Sequence, residues 1–180
     1  MDKKVVFLDR DGTLIEEVDF LSTVEETRLF NFTIEALTIL KEAGFEFVVT
    51  TNQSGIARGY FDKAAVDAIH QKIQEILNES GLRIESFQHC PHFPDAGCSC
   101  RKPGTGMIES AIDGQHVDLE NSWVIGDKIL DVTMGKNAGT KSAMVMTGYG
   151  KAHRKEIDWS PDLIGENLLE VAKKIVAIDG

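Results

Sequence analysis

VVFLDRDGTLI, Val5 to Ile15, decides how the rest of the chain is read. An apolar run from Val5 to Leu8 stops abruptly at two aspartates one residue apart, followed by Gly and Thr. A short, continuous, β-branched run of this kind reads as a strand buried on both faces. Residues i and i+2 share a face of a strand, so Asp9 and Asp11 are expected to leave its end on nearby lines. Two carboxylates that close repel unless a cation or a shared proton relieves them. Gly12 permits a tight turn, and Thr13 is expected to hold it through its hydroxyl. DxD alone is an ordinary acidic turn, but DxDGT directly after an apolar strand is specific. It suits a divalent ion and an anionic substrate. One Asp would act as a nucleophile toward phosphorus and the other as a proton donor to the leaving oxygen.

Outward from this strand, helix and strand patterns alternate. Residues 33–44, TIEALTILKEAG, place Ile34, Leu37 and Leu40 at helical spacing, with Thr33 as N-cap and Gly44 just past the end. FEFVVTT, 45–51, reads as the second strand. Residues 62–81, DKAAVDAIHQKIQEILNESG, form the strongest helical pattern. Asp62 caps it, Ala65, Val66, Ile69, Ile73, Ile76 and Leu77 make one stripe, and Gly81 ends it. RIESFQHC (83–90), NSWVIGD (121–127) and KSAMVMTG (141–148) read as strands. GMIESAIDG (106–114), ILDVTMGKNAG (129–139) and ENLLEVAKKIVAI (166–178) read as helices. This βαβα rhythm predicts an α/β fold, a central parallel sheet with helices on both faces, in a single domain over 1–180. In such sheets ligands bind beyond the carboxyl ends of the strands. Four polar clusters fall there: Asp9/Asp11, Thr51-Asn52-Gln53, Arg101-Lys102 and Gly126-Asp127-Lys128.

Charge and hydropathy exclude several classes. The net charge of -10 is opposite to the basic footprint that DNA or RNA binding needs, so no nucleic-acid partner is expected. The apolar run before Asp9 is too short for a signal-peptide core, and no stretch approaches the ~20 apolar residues of a membrane span. A cytoplasmic protein with no membrane partner, acting as a monomer, is the expectation.

All three cysteines fall inside CPHFPDAGCSC, a C-x-H-x5-C-x-C pattern. A disulfide framework would spread them; clustering in a reducing compartment points to metal. Cys90, His92, Cys98 and Cys100 make a closed Cys3His set for structural zinc, in a loop of about residues 89–102. His89 is a second candidate, disfavoured because adjacent residues of an extended chain point apart. Arg101 and Lys102 follow at once. Lysine is a point charge suited to a phosphoryl group, and arginine a fork suited to a second phosphate or a carboxylate. Thr51 offers a hydroxyl, and the Asn52-Gln53-Ser54-Gly55 backbone offers N–H groups to a phosphate. No Gly-Lys-Ser/Thr follows Gly55 or Gly59, which excludes a P-loop. Asp127 can complete an oxygen shell for Mg²⁺ with Asp9, while Asp131, one helical turn on, either ligates or supports. Glu17 and Asp19, in the first loop, are candidate substrate contacts, as are Arg10 and Lys128, each next to a site aspartate. His70, His116 and His153 have no partner readable from sequence, and Trp123 reads as core.

Taken in order, DRDGT, the strand-end Thr51, Lys102 and GDKILD resemble the haloacid dehalogenase superfamily of phosphatases. TNQSGIARG, the Cys/His loop and CRKP resemble its heptose-bisphosphate and histidinol-phosphatase group. SGIARG is closer to the heptose enzymes, and the short spacer between His92 and Cys98 to the histidinol-phosphatase loop. The resemblance implies a Rossmann-like three-layer sandwich. The stretches from Thr13 to Thr51 and from Gln53 to Lys102 leave no room for a separate cap domain. It implies Asp9 as the nucleophile that forms an aspartyl-phosphate, and Asp11 as acid and then base. Thr51 and Lys102 would bind the transferring phosphoryl, and Arg101 a remote part of the substrate. Mg²⁺ would sit on Asp9, the backbone carbonyl of Asp11 and Asp127, and Zn²⁺ on the Cys3His set. The implied substrate is a small phosphorylated sugar, a heptose 1,7-bisphosphate losing its 7-phosphate on the way to nucleotide-activated heptose for surface polysaccharide. Histidinol phosphate is the nearest alternative, and a zinc-stapled, non-catalytic binding module the other. The intact Asp9, Asp11, Lys102 and Asp127 argue against that last reading.

Overall fold

The computed structural model describes residues 2–179; Met1 and Gly180, the two ends of the expected 1–180 domain, lie outside the described residues. Val5 to Leu8 form most of strand β1 (Lys4–Leu8), which occupies an interior position of the sheet. β2 (Phe45–Asn52) and β3 (Ser86–Cys90) lie to one side of it, and β4 (Trp123–Gly126), β5 (Lys141–Val145) and β6 (Leu163–Gly165) to the other. The order is β3-β2-β1-β4-β5-β6, with every neighbouring pair parallel. Parallel neighbours require crossovers, which the helices supply: α1 (Thr33–Glu42), α2 (Lys63–Asn78), α3 (Gly106–Ile112), α4 (Ile129–Ala138) and α5 (Gly150–Arg154); α6 (Leu168–Asp179) closes the chain.

The period of two along β1 divides the core. Val6 and Leu8 join a cluster with Leu37 and Leu40 of α1, Ile69 and Ile73 of α2, and Val171 and Ile175 of α6. Val5 and Phe7 face the opposite way, against Ile108 of α3 and Met134 of α4. The result is the expected sandwich of helix, sheet and helix. Between Thr13 and Thr51, and between Gln53 and Lys102, the chain holds loops, α1, α2, β3 and parts of β2. No cap is folded from them.

Local chemistry departs from expectation in three places. Thr33 does not cap α1. It is fully buried in the first turn, where its hydroxyl donates to Leu14 O at 2.8 Å and ties the helix to the first loop; Phe32 holds the cap position. In the α2 stripe Ala65 and Ile76 are only half-buried, and His70 is buried instead. α5 and β6, five and three residues long, are too short to show a hydrophobic period, and neither was foreseen. Asp62 caps α2 as expected, accepting from Ala65 N at 2.9 Å. Among the described residues no helix is long and apolar enough to cross a membrane.

Leu37 is fully buried between α1 and the sheet. Leu37→Ala is expected to lower unfolding free energy by ~2–5 kcal/mol through lost transfer and a residual cavity. Urea denaturation should show the midpoint falling with the slope unchanged.

Candidate active site

The chain reverses its direction of winding between β1 and β4, and the crevice at such a point opens at the carboxyl ends of both strands. Asp9 follows β1, Asp127 follows β4, and Thr51 lies near the end of β2. Lys102 reaches them from the far end of the cysteine loop. Its Nζ donates to Asp9 Oδ1 at 2.8 Å and to Asp131 Oδ1 at 2.6 Å. The ammonium is 3% exposed, so the pair it makes with each carboxylate is what keeps it charged. Burial works against that charge, but Asp131 and Asp9 outweigh it and hold Lys102 above its ordinary range.

The carboxylates outnumber this cation. One oxygen from each of Asp9, Asp127 and Asp131 lies within 4.8 Å of the others. Burial alone would raise Asp9, yet Lys102 and Lys128 overcome it and hold the group below the usual carboxylate range. Asp127 is pushed up to about 9, first by burial and then by Asp9 and Asp131 beside it. Asp9 Oδ2 and Asp127 Oδ1 are buried with no hydrogen bond. Two orphaned carboxylate oxygens facing an excess of negative charge form a hard donor set, which fits a divalent cation such as Mg²⁺. Asp131 is different: both its oxygens are used, Oδ1 by Lys102 and Oδ2 by Lys128 N at 3.0 Å at the start of α4. It braces Lys102 and the helix end.

Two glycines make room for Asp127. A Cβ on Gly12 would stand 2.4 Å from Asp127 Oδ2, and one on Gly148 would stand 2.2 Å from it. Both have positive φ, 85° and 54°. Thr147 Oγ1 donates to Gly12 O at 2.6 Å, and Tyr149 N donates to Asp127 Oδ2 at 2.8 Å. His153 on α5 accepts from Ile129 N at 3.0 Å, at the first turn of α4. Sequence reading missed Gly148, Tyr149 and His153. The Gly at 148 was the one available signal, and its meaning depends on Asp127 being beside it.

Asp11 lies beyond the strand, so the turn rather than the strand pleat sets its direction. Thr13 does not hold that turn. Its hydroxyl is buried without a partner, and backbone bonds from Leu14 N and Ile15 N to Arg10 O do the work. Arg10, expected to contact substrate, is fully buried instead. Its Nε donates to Asp11 Oδ2 at 2.9 Å and its Nη2 to Asp11 Oδ1 at 3.1 Å. Two parallel N–H donors on the two oxygens of one carboxylate make a bidentate pair. Gln53 Nε2 adds a bond to Asp11 Oδ2 at 3.1 Å and another to Thr51 Oγ1 at 2.8 Å. Asn52 Oδ1 accepts from Lys102 N at 3.2 Å, fastening the cysteine loop to β2.

These groups floor a cavity of about 200 Å³. Asn52, Gln53, Ser54 and Arg101 line it, as do Glu17 and Asp19 from the first loop and Lys128 from the opposite side. Arg101 Nη1 donates to His92 O at 3.4 Å. Lys128 Nζ stands 4.0 Å from Glu17 Oε2 and 5.1 Å from the centre of the Tyr149 ring. Burial pushes Glu17 up to about 7, against the pull of Lys128. Cys90, His92, Cys98 and Cys100 converge beside this cavity. Their sulfurs are 3.1 to 3.6 Å apart, and His92 Nδ1 is 3.4 Å from Cys90 Sγ and 3.3 Å from Cys100 Sγ. A tetrahedron of thiolates around zinc has edges of ~3.8 Å, so the cluster fits zinc. His89 turns the other way, toward His70.

A family profile described as HAD-hydrolase-like matches residues 99–171. The D-glycero-beta-D-manno-heptose-1,7-bisphosphate 7-phosphatase of Pseudomonas aeruginosa is 38% identical over 151 residues, 83% of this chain and 85% of that protein. This chain belongs to the haloacid dehalogenase family of phosphatases. It is a phosphoric monoester hydrolase, and the reading as a non-catalytic module falls with that membership. The crystal structure of D,D-heptose 1,7-bisphosphate phosphatase from B. bronchiseptica, complexed with magnesium and phosphate, superimposes with a TM-score of 0.90 at 33% identity. That match covers 97% of this chain and 99% of the other. The bifunctional histidine biosynthesis protein HisB of Campylobacter jejuni is 39% identical over 161 residues, 88% of this chain but 45% of that protein.

Gly148→Ala must displace Asp127 or the turn from Thr147 to Tyr149. Titrating activity with Mg²⁺ is expected to show a higher half-saturating concentration in this variant, with secondary structure retained by circular dichroism. Metal analysis of gently purified protein should find zinc, and Cys98→Ser should lose it. Glu17 has a folded pKa above its ordinary value, so the folded state binds the extra proton. That stabilisation is present at pH 5 and is lost as pH rises through about 7. Thermal melts without added Mg²⁺ should therefore show Glu17→Gln gaining stability over the unsubstituted protein at pH 8 and little at pH 5.

Proposed function

We propose that this phosphatase removes the 7-phosphate of a D-glycero-D-manno-heptose 1,7-bisphosphate, on the way to nucleotide-activated heptose for surface polysaccharide. One observation carries the mechanism. Asp9 has one oxygen on Lys102 and the other buried without a partner, while Asp11 is clamped two residues away by Arg10 and Gln53. The activities for which the P. aeruginosa and B. bronchiseptica relatives are named support the substrate. Unpaired cysteines suit a reducing compartment, and we place the reaction in the cytoplasm, in a single domain acting as a monomer.

In this mechanism the Asp9 carboxylate attacks phosphorus and the bond to the sugar oxygen breaks. Asp11 gives its proton to the departing alkoxide, leaving an aspartyl-phosphate on Asp9. Water then attacks the phosphorus, Asp11 takes its proton, and the bond to Asp9 breaks to release phosphate. Lys102 and Thr51 hold the transferring phosphoryl, and Asp131 keeps Lys102 aimed. Mg²⁺, when bound by Asp9, Asp127 and the backbone carbonyl of Asp11, supplies positive charge against the phosphoryl oxygens. Cys90, His92, Cys98 and Cys100 would hold Zn²⁺, which would fix the loop that carries Arg101 and Lys102. Arg101 and Lys128 meet the remote phosphate at the mouth, with Asn52, Gln53, Ser54, Glu17 and Asp19 around the sugar.

Histidinol phosphate is the second reading, favoured by the HisB similarity and by the five-residue spacer between His92 and Cys98. Phosphate release with Mg²⁺ separates the two, using both heptose bisphosphate anomers and histidinol phosphate at matched concentrations. A heptose preference of ~100-fold, or about 2.7 kcal/mol of transition-state discrimination, is expected. Preference for histidinol phosphate would assign the substrate to the second reading. Asp9→Asn is expected to lower turnover by at least ~10⁴-fold while leaving the fold intact. Normal turnover in that variant would remove Asp9 as nucleophile.

A further inference from the structure

The buried stripe of α2 contains one polar side chain. Val66, Ile69, Ile73 and Leu77 are fully buried and apolar, but His70, 6% exposed, shares their face. A leucine there would serve packing alone. The His70 ring stacks on Phe87 of β3, with centroids 4.6 Å apart and planes 18° apart. Its Nε2 lies 3.3 Å from Arg10 Nη1. Arginine has only donors, so Nε2 must be the acceptor and the ring proton must sit on Nδ1. Burial, with Arg10 and His89 nearby, pushes His70 down to about 3, which keeps the ring a neutral acceptor despite Asp67 on the same helix.

The guanidinium is a rigid plane, so a bond at one nitrogen restrains the directions of the other two. Arg10 gives Nη1 to His70 and both Nε and Nη2 to Asp11. We propose that His70 is a positioning residue for the phosphatase reaction: acting through Arg10, it sets the angle of the Asp11 carboxylate. The inference rests on the reading of Asp11 as acid and base. Gln53 restrains Asp11 Oδ2 from its other side, and His70 supplies the anchor behind the guanidinium. An Arg10 released at Nη1 keeps its ion pair with Asp11, but the pair can pivot together away from the leaving oxygen.

The test compares leaving groups. p-Nitrophenolate departs without needing a proton, whereas a sugar alkoxide needs one, so kcat/KM on the two substrates isolates the acid. Asp11→Asn is the reference and should lose far more on the heptose bisphosphate than on p-nitrophenyl phosphate. His70→Phe keeps the stack on Phe87 and deletes the acceptor. It should lose ~10-fold on the heptose bisphosphate and less than ~3-fold on p-nitrophenyl phosphate. His70→Gln, whose amide oxygen can accept from Arg10, should recover most of the loss. A partly folded population lowers both substrates alike, and His70→Leu carries the same comparison if the Phe variant does not fold. Equal losses on both substrates, no loss on either, or a Gln variant no better than Phe would overturn the inference and leave Asp11 in its role. No split in Asp11→Asn itself would overturn the reading of Asp11 and the inference with it.

Discussion

Lys102 stands buried between Asp9 and Asp131, and the rest of the site is arranged around that ammonium. A lone buried cation is costly, and the two carboxylates on either side of Lys102 are what hold it charged. The contact joins three parts of the chain: the end of β1, the start of α4 and the far end of the cysteine loop. Asn52 secures the backbone of Lys102 to β2, so the loop is tied to the sheet by main chain as well as side chain. The cysteine cluster lies in the same loop, with Cys100 two residues before Lys102. A loop closed by a metal on Cys90, His92, Cys98 and Cys100 would have few conformations to lose when Lys102 is buried.

The same crevice holds more negative charge than its lysines neutralise. Asp127 is kept next to Asp9 by packing no side chain could allow, since Gly12 and Gly148 come too close to its carboxylate to carry a Cβ. Such an arrangement raises Asp127 well above its ordinary range as long as no cation offsets it. Storing repulsion of this kind in the free protein creates a place where a divalent ion and a phosphoryl group are favoured together. Asp11 stands apart from that cluster, with both its oxygens held by Arg10 and one also by Gln53.

Without a cap, the mouth is built from loops. The first loop brings Glu17, Asp19 and Phe20, the cysteine loop brings Arg101, and the turn before α5 brings Tyr149. Arg58, beyond β2, lies 5.7 Å from the Phe20 ring and 5.5 Å from the Phe93 ring, bridging the first loop to the cysteine loop. These cation–π contacts are exposed and individually weak. They link the two loops across the rim while leaving the cavity open.

Much of this protein was legible in its sequence because the signals are local. The apolar run of β1, the capped stripe of α2 and the βα rhythm follow from period and turn chemistry, and they specify a parallel sheet without knowledge of any contact. Asp9, Thr51, Lys102 and Asp127 stood out because each follows or ends such a run or loop, and the structure brings them to one crevice. The four zinc-type ligands were readable from spacing alone. What only the tertiary structure decided is which polar groups meet. Arg10 reads as a ligand contact from its place beside Asp11, but burial turns its fork onto that same aspartate. His70 has no partner readable from sequence until Arg10, just past β1, is laid against it. Gly148, Tyr149 and His153 carry no period and touch the site only because β5 lies next to β4. Hydrogen-bond partners far apart in sequence are chosen by packing, and packing is written in no local pattern.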